Sequence, residues 1–276
     1  MPFRVPFAGE GEFFTPDSVL SHCYGALLPM FTTKEATTLR QLCREFKSTV
    51  ADFPWEDDET VIMGSVASWR TCFPRARWAN VRMVGEGCRT SPVVDDDFVH
   101  FVGLRRLFMN WCTSITDAAF VHLRGIHTLD MSACNQTTIT DAAFVHLKGI
   151  YSLDMSLCRQ PSITDSAFTH LKGIHSLRMI FCNQATITDS AFAHLTGIHS
   201  LSLTCCRQLT SVVFSHLKGI KRLNIAGCHQ LNLTDASLSD IEWLNMTGHS
   251  RAQRDQAESL GYPVIQANDP PFATGF

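Results

Sequence analysis

Three residue types in this chain have the chemistry to be nucleophiles, metal ligands or proton carriers, and each recurs at fixed spacing. Of its eleven cysteines, seven form a column at intervals of 22 or 24 residues: Cys88, Cys112, Cys134, Cys158, Cys182, Cys206 and Cys228. Catalytic or metal-binding thiols need a base, a cation or a second sulfur beside them, and no C-x-x-C pair occurs. One cysteine per interval reads instead as a buried, inert thiol that donates weakly to backbone, in a reducing compartment. Six of the twelve histidines share one position (His100, His122, His146, His170, His194 and His216), and His127, His175 and His199 share another. A one-dimensional stack does not converge three or four ligands on a metal, although its titration near pH 6.5 would make that side more positive in acid. Asp95, Asp117, Asp141, Asp165, Asp189 and Asp235 look like paired carboxylates only on paper. Each opens a short helix, where an acid satisfies free N–H groups and suits the helix dipole. No phosphate-binding glycine loop or nucleophile elbow is found. The expectation is a chain with no catalytic residue, no metal and no cofactor.

The elements that position these columns are repeats. Ile115 to Leu123 returns as Ile139 to Leu147, Ile163 to Leu171 and Ile187 to Leu195, each 24 residues on, and a degenerate copy, Leu209 to Leu217, follows after 22. A leucine stands five residues before each column cysteine from Leu107 to Leu223. Within one unit, Leu129-Asp130-Met131 alternates like a half-buried strand. Thr140 or Asp141 offers an N-cap, Ala143, Phe144 and Leu147 share one helical face, and Gly149 supplies a left-handed C-cap. No unit buries its own apolar face, so units must stack around one continuous core. The ladder must also curve, because strands sit closer together than helices. Strands are expected near 81–84, 107–109, 129–131, 153–155, 177–179, 201–203, 223–225 and 244–246. A helix at Ser250–Leu260 and an edge strand at Tyr262–Ile265 should follow. The fold class is α/β: a curved solenoid with a parallel strand ladder inside, short helices outside and a helical cap at its N-terminal end.

The wording from Cys134 through Ile139-Thr140-Asp141, Phe144, Leu147, Ile150 and Leu153 to Cys158 resembles the cysteine-containing subclass of leucine-rich repeats, typical of F-box/LRR proteins. The resemblance covers residues 80–248. Upstream, Thr15-Pro16-Asp17 reads as a helix start, and Leu39, Leu42, Cys43 and Phe46 mark a second amphipathic helix. This stretch looks like an F-box over residues 14–52. The segment Tyr24–Phe31 is longer than the usual connection, and Phe46 stands where tryptophan is more common. The resemblance implies docking to a Skp-type adaptor of a cullin ubiquitin ligase through Pro16, Leu20, Leu39, Leu42, Cys43 and Phe46. The alternative is a plain interaction scaffold whose N-terminal helices only seal the solenoid. Boundaries follow: an arm at 1–13, the F-box-like segment at 14–52, a linker or cap at 53–78, repeats at 79–248, a capping unit at 249–265 and a tail at 266–276.

A protein target would be met on the inner face, where the scaffold leaves side chains free to vary. Most outward strand residues there are small and polar. Phe108, Trp111, Leu157, Ile180 and Phe181 stand out as large apolar groups, and Asp130, Asp154 and Arg178 as a mixed-charge stripe. Length and composition set the outer bounds. With 276 residues, 45% apolar and a formal net charge of −3, the chain can fill a core and carries no global footprint for nucleic acid or an anionic membrane. It has no run of about 18 apolar residues that would span a bilayer. Two prolines break its start, so no signal peptide is read there, and a cytoplasmic or nuclear location is expected.

Overall fold

The computed structural model describes residues 28–41, 44–83, 92–234, 238 and 240–265. Eight three-residue strands run through it in chain order, every neighbouring pair parallel. They are β1 Trp78–Asn80, β2 Arg106–Phe108, β3 Thr128–Asp130, β4 Ser152–Asp154, β5 Ser176–Arg178, β6 Ser200–Ser202, β7 Arg222–Asn224 and β8 Trp243–Asn245. The register never slips: Leu107 pairs Leu129, Leu129 pairs Leu153, and so on to Leu223 and Leu244. This leucine row is buried throughout, as is the row two residues on, from Val81 and Met109 to Ile225 and Met246. A third row comes from the helices, with Phe98, Phe120, Phe144, Phe168 and Phe192 all sealed from solvent. Each such side chain contributes roughly 1.5–3 kcal/mol through removal from water, and only because a neighbouring rung covers it. The parallel ladder and stacked core rows make the chain a leucine-rich-repeat solenoid.

Strand positions differ from expectation at the first rung. The expected strand at 81–84 is replaced by β1, because Ala79 and not a leucine fills the rung opposite Leu107. Val81 and Met83 still donate backbone N–H groups to Phe108 and Asn110, so the ladder continues past the formal strand end. Cys88 lies outside the described residues. At the other end, helix α7 (Arg251–Ser259) follows Ser250, which forms a capping box with Gln253. The expected last strand is a single bridge between Leu244 and Val264.

The convex helices are short: α4 Asp117–Phe120, α5 Asp141–Phe144 and α6 Asp165–Phe168, the first two running on into a 3-10 turn. Later repeats use 3-10 helix alone, over Asp189–His194 and Ser211–His216. Threonine is the N-cap in each, and Gly149 ends its unit at φ +82°, as the repeat pattern requires. The aspartates do not simply cap their own helices. Asp141 accepts the backbone N–H of Thr164 at 2.7 Å and its hydroxyl at 2.6 Å, on the following repeat. Asp95, Asp117, Asp165 and Asp189 clasp Thr116, Thr140, Thr188 and Thr210 in the same way. Asp235 lies outside the described residues. The helix-start carboxylates therefore bind repeats together, which their position in a single unit does not reveal.

The column cysteines form a second tie. Each thiol donates to a carbonyl one repeat back: Cys134 to Met109 at 3.2 Å, Cys158 to Met131 at 3.3 Å, Cys182 to Met155 at 3.1 Å and Cys206 to Met179 at 2.8 Å. Burial pushes these thiols up, Cys182 to about 12 and Cys228 to about 11, which leaves them protonated and unreactive. His249 takes the cysteine's position at the next rung, but its Nδ1 lies 3.1 Å from the carbonyl oxygen of Met246 in the same rung.

Before the ladder stands a helical segment with a core of its own: Leu28, Ala36, Val50, Trp55, Phe73 and Ala76. Its helices are α1 Thr33–Leu39, α2 Arg44–Asp52 and α3 Val66–Cys72. The single amphipathic helix expected through Leu39 and Phe46 is two helices. After the β-branched pair Thr37-Thr38 the chain turns, and Arg40 is held by the Cys72 carbonyl with its guanidinium 5.8 Å from the Phe73 ring. That tertiary contact outweighs the apolar periodicity.

Candidate binding surface

Three rows of side chains project from the inner side of the ladder. The first row begins each strand: Trp78, Arg106, Thr128, Ser152, Ser176, Ser200, Arg222 and Trp243. Its middle four are small and buried, since curvature crowds neighbouring rungs together on this side. Its ends are built alike. The Arg106 guanidinium lies 4.2 Å from the Trp78 ring and pairs with Asp58 at 3.5 Å, and Arg222 lies 5.3 Å from the Trp243 ring. The result is a hydroxyl-lined floor four rungs wide between two Arg–Trp shoulders. Neither tryptophan stood out in the sequence, because Trp78 precedes Ala79 and Trp243 precedes Leu244 without any motif. Arginine and tryptophan sharing one repeat position was the available signal.

The second row unites four of the residues expected to meet a target. Phe108, Asp130, Asp154 and Arg178 occupy successive rungs in register. Arg178 Nε is 3.4 Å from the Asp154 carboxylate. Burial, and then the neighbouring Asp154 charge, push Asp130 up to about 6, while hydrogen bonds from Ser132 and the Arg178 charge oppose the rise. Both carboxylates also have a structural task. Asp130 accepts the N–H of Ser132 at 2.9 Å and Asp154 that of Ser156 at 2.8 Å, and Asn224 and Asn245 repeat this turn with Ala226 and Thr247. Ile180 stands two positions beyond Arg178 and is half-buried.

The third row separates the remaining apolar candidates from the second. Trp111, Leu157 and Phe181 have φ of 62°, 62° and 59°, with Ala133 and Cys205 at 58° between and beside them. Left-handed backbone costs a side-chain-bearing residue about 1–2 kcal/mol. Here the turn is imposed by the ladder, for each of these residues donates its N–H to the next repeat: Trp111 to Ser132, Leu157 to Ile180 and Phe181 to Thr204. Gly227 and Gly248 fill the same position without strain, at φ 71° and 89°. The bend throws the large side chains outward, leaving Trp111 46% and Phe181 41% exposed at the strand-end edge. Arg159 frames the latter, its guanidinium 5.9 Å from the Phe181 ring and its Nε donating to the Phe181 carbonyl at 3.0 Å.

Of the residues expected to meet an adaptor, Leu39 is half-buried at the end of α1. Pro16, Leu20, Leu42, Cys43 and the side chain of Phe46 lie outside the described residues. Among the described residues no three or more histidine, cysteine or acidic side chains gather as a metal site, and no helix is long and apolar enough to cross a membrane.

No family model matches the chain, and no curated protein does. Solved structures that resemble it include TLR13 in a complex with ssRNA13, at 20% identity over 70% of this chain and 25% of that one, with a TM-score of 0.41. Another belongs to the Toll–Spatzle complex of Drosophila, at 12% identity over 76% of this chain and 33% of that one, TM-score 0.45. A third comes from the Rad7–Elc1 complex of yeast, at 11% identity over 92% of both chains, TM-score 0.30. The chain spans a quarter to a third of the length of the TLR13 and Toll chains. The likeness is one of architecture, and the assignment as a leucine-rich-repeat solenoid stands on this chain's own register and core rows.

Proposed function

We propose that this protein is a non-catalytic substrate-recognition subunit of an SCF-type cullin ubiquitin ligase. Residues 14–52 hold a Skp-type adaptor, and the inner face of the solenoid holds a protein target, in the cytoplasm or nucleus. The observation that carries the target half is the inner face itself, a small-residue floor bounded by Arg106–Trp78 and Arg222–Trp243, with Trp111 and Phe181 exposed along its edge. Aromatic and arginine anchors around a polar floor are the composition of a protein-binding patch. The adaptor half rests on the F-box resemblance. In this reading no bond is made or broken on the chain, and its contribution is the effective concentration of a target lysine near a loaded conjugating enzyme.

A second reading is a scaffold whose helices serve only as a cap, and the packing of the helical segment favours it. Trp69 touches both hydrophobic cores, and Arg70 donates to the carbonyls of Ala76 at 2.9 Å and Val102 at 2.8 Å, fastening α3 to the first repeat. Co-expression with a Skp-type adaptor separates the two. Capture by the wild-type chain, lost in a folded Leu42→Asp, Phe46→Asp variant, is the result expected of the ligase subunit. A folded wild type that captures no adaptor leaves the cap.

A further inference from the structure

The two edges of the solenoid carry opposite charge, which the net value of −3 conceals. Repeat helices begin at one edge with Asp117, Asp141, Asp165, Asp189 and, in the degenerate copy, Ser211. Four of these five repeats reach the other edge at an exposed cation just before the left-handed glycine, Thr196 standing there in the repeat of Asp189. Those cations are Arg124, Lys148, Lys172 and Lys218. Three residues on, just before each strand, comes a second row: Arg105, His127, Tyr151, His175, His199 and Lys221. Its four rings stack face to face, with centroids 4.6, 4.4 and 4.4 Å apart and planes within 16°. The rows interlock, since Arg124 Nε is 3.2 Å from Nδ1 of His146 on the following repeat. Glu242 pairs with Lys221 at 3.2 Å at the far end of the row.

We infer that this strand-start edge docks an acidic, extended segment of a partner polypeptide, whose carboxylates are met by Arg105, Arg124, Lys148, Lys172, Lys218 and Lys221. The rung spacing of about 4.8 Å and the flexible lysine stems suit an extended chain, whose same-face side chains recur roughly every 6.6 Å. The ring stack argues against single-stranded nucleic acid. Binding of bases needs open aromatic faces, and here each inner face is covered by the next ring, leaving ring edges and their N–H groups outward. The acidic opposite edge also discourages a long polyanion from wrapping the molecule.

The imidazoles give the docking a pH dependence. Burial, then the charges of Arg105 and Arg106, hold His127 below its ordinary value. Burial and Arg124 do the same for His146, against an opposing pull from Asp117, and burial and His199 for His175. Bound carboxylates favour the charged form of all three, so the complex takes up protons and tightens as pH falls.

The test titrates the full chain, without any adaptor, into a fluorescently labelled dodecaglutamate peptide and follows anisotropy. Affinity is expected to fall by about tenfold in Lys148→Glu, Lys172→Glu and by less in Lys148→Gln, Lys172→Gln. It should rise between about pH 7.5 and 5.5 and weaken with salt. Met63→Ala, an exposed residue of the helical segment away from this edge, should bind like wild type. A folded charge-reversal variant within about twofold of wild type overturns the inference. So does tighter binding of a twelve-nucleotide oligothymidylate than of the peptide.

Discussion

The solenoid and the helical segment before it bury similar side chains in different ways. Along the ladder one core runs unbroken from Ile62 to Tyr262, and the rungs from β2 to β5 repeat the same leucine, methionine, phenylalanine and cysteine positions. The helical segment instead gathers a small aromatic knot, with Trp55 4.8 Å from Phe53 and 5.7 Å from Phe73 at ring centroids, and with its indole N–H donating to the Val50 carbonyl at 2.7 Å. In the first, a residue depends on its neighbours in space being copies of itself. In the second, it depends on contacts met once. Trp69, packed in both, is the hinge of the comparison.

The largest test of that difference is a pair of truncations. Phe168→Ala and Trp55→Ala should each cost about 3–5 kcal/mol, because both rings are fully buried. Their reach should differ. Hydrogen exchange should quicken in β4, β5 and β6 on both sides of Phe168, whereas loss of Trp55 should expose the helices and spare β3 to β7. Equal loss of protection along the whole ladder in Trp55→Ala would merge the two cores into one cooperative unit.

A smaller effect sharpens the contrast between the ladder's inner face and its core. Asp130 titrates near 6 in the folded chain, above its value of about 3.9 unfolded. The folded state therefore holds its proton more tightly, and the stability present below about pH 4 is lost as pH rises through 6. Asp130→Asn keeps an oxygen for the Ser132 N–H and removes the charge. It should raise stability at neutral pH by about 1–2 kcal/mol, with the gain vanishing near pH 4, as read from urea midpoints across pH.

The smallest effect concerns the left-handed column. Ala133→Gly should stabilise by about 0.5 kcal/mol, relief of left-handed strain exceeding the entropy glycine adds to the unfolded chain. The reverse change, Gly227→Ala, should destabilise by more, since its Cβ would stand 2.6 Å from the Cys205 sulfur. Urea midpoints moving in opposite directions at constant m would bear this out.

The same contrast explains what could be read from the sequence. In the ladder each assignment was made several times over, so Leu129 and Cys134 were placed by their copies as much as by their own surroundings. Where copying failed, so did the reading: Ala79 at the first rung has no leucine to announce it. Within the site, Phe108, Asp130, Asp154 and Arg178 were legible as one row because strand register follows repeat register. The Trp78 and Trp243 shoulders were not, because a cation–π contact joins two adjacent rungs and leaves no trace in either alone. The aspartate clasps escaped for the same reason, their partners lying 21 or 23 residues away. The turn between α1 and α2 depends on Cys72 and Phe73, far from the periodicity that suggested one helix.

The clasp has a consequence for how such a gene can change. Asp141 reaches Thr164 as Asp117 reaches Thr140, and β3, β4 and β5 pair in identical register. A 24-residue unit duplicated or lost by unequal recombination between these copies leaves an aspartate facing a threonine and a leucine facing a leucine at the new junction. Array length is thus a heritable variable that the fold tolerates, and the number of rungs between the two Arg–Trp shoulders, hence the width of what fits there, varies with it.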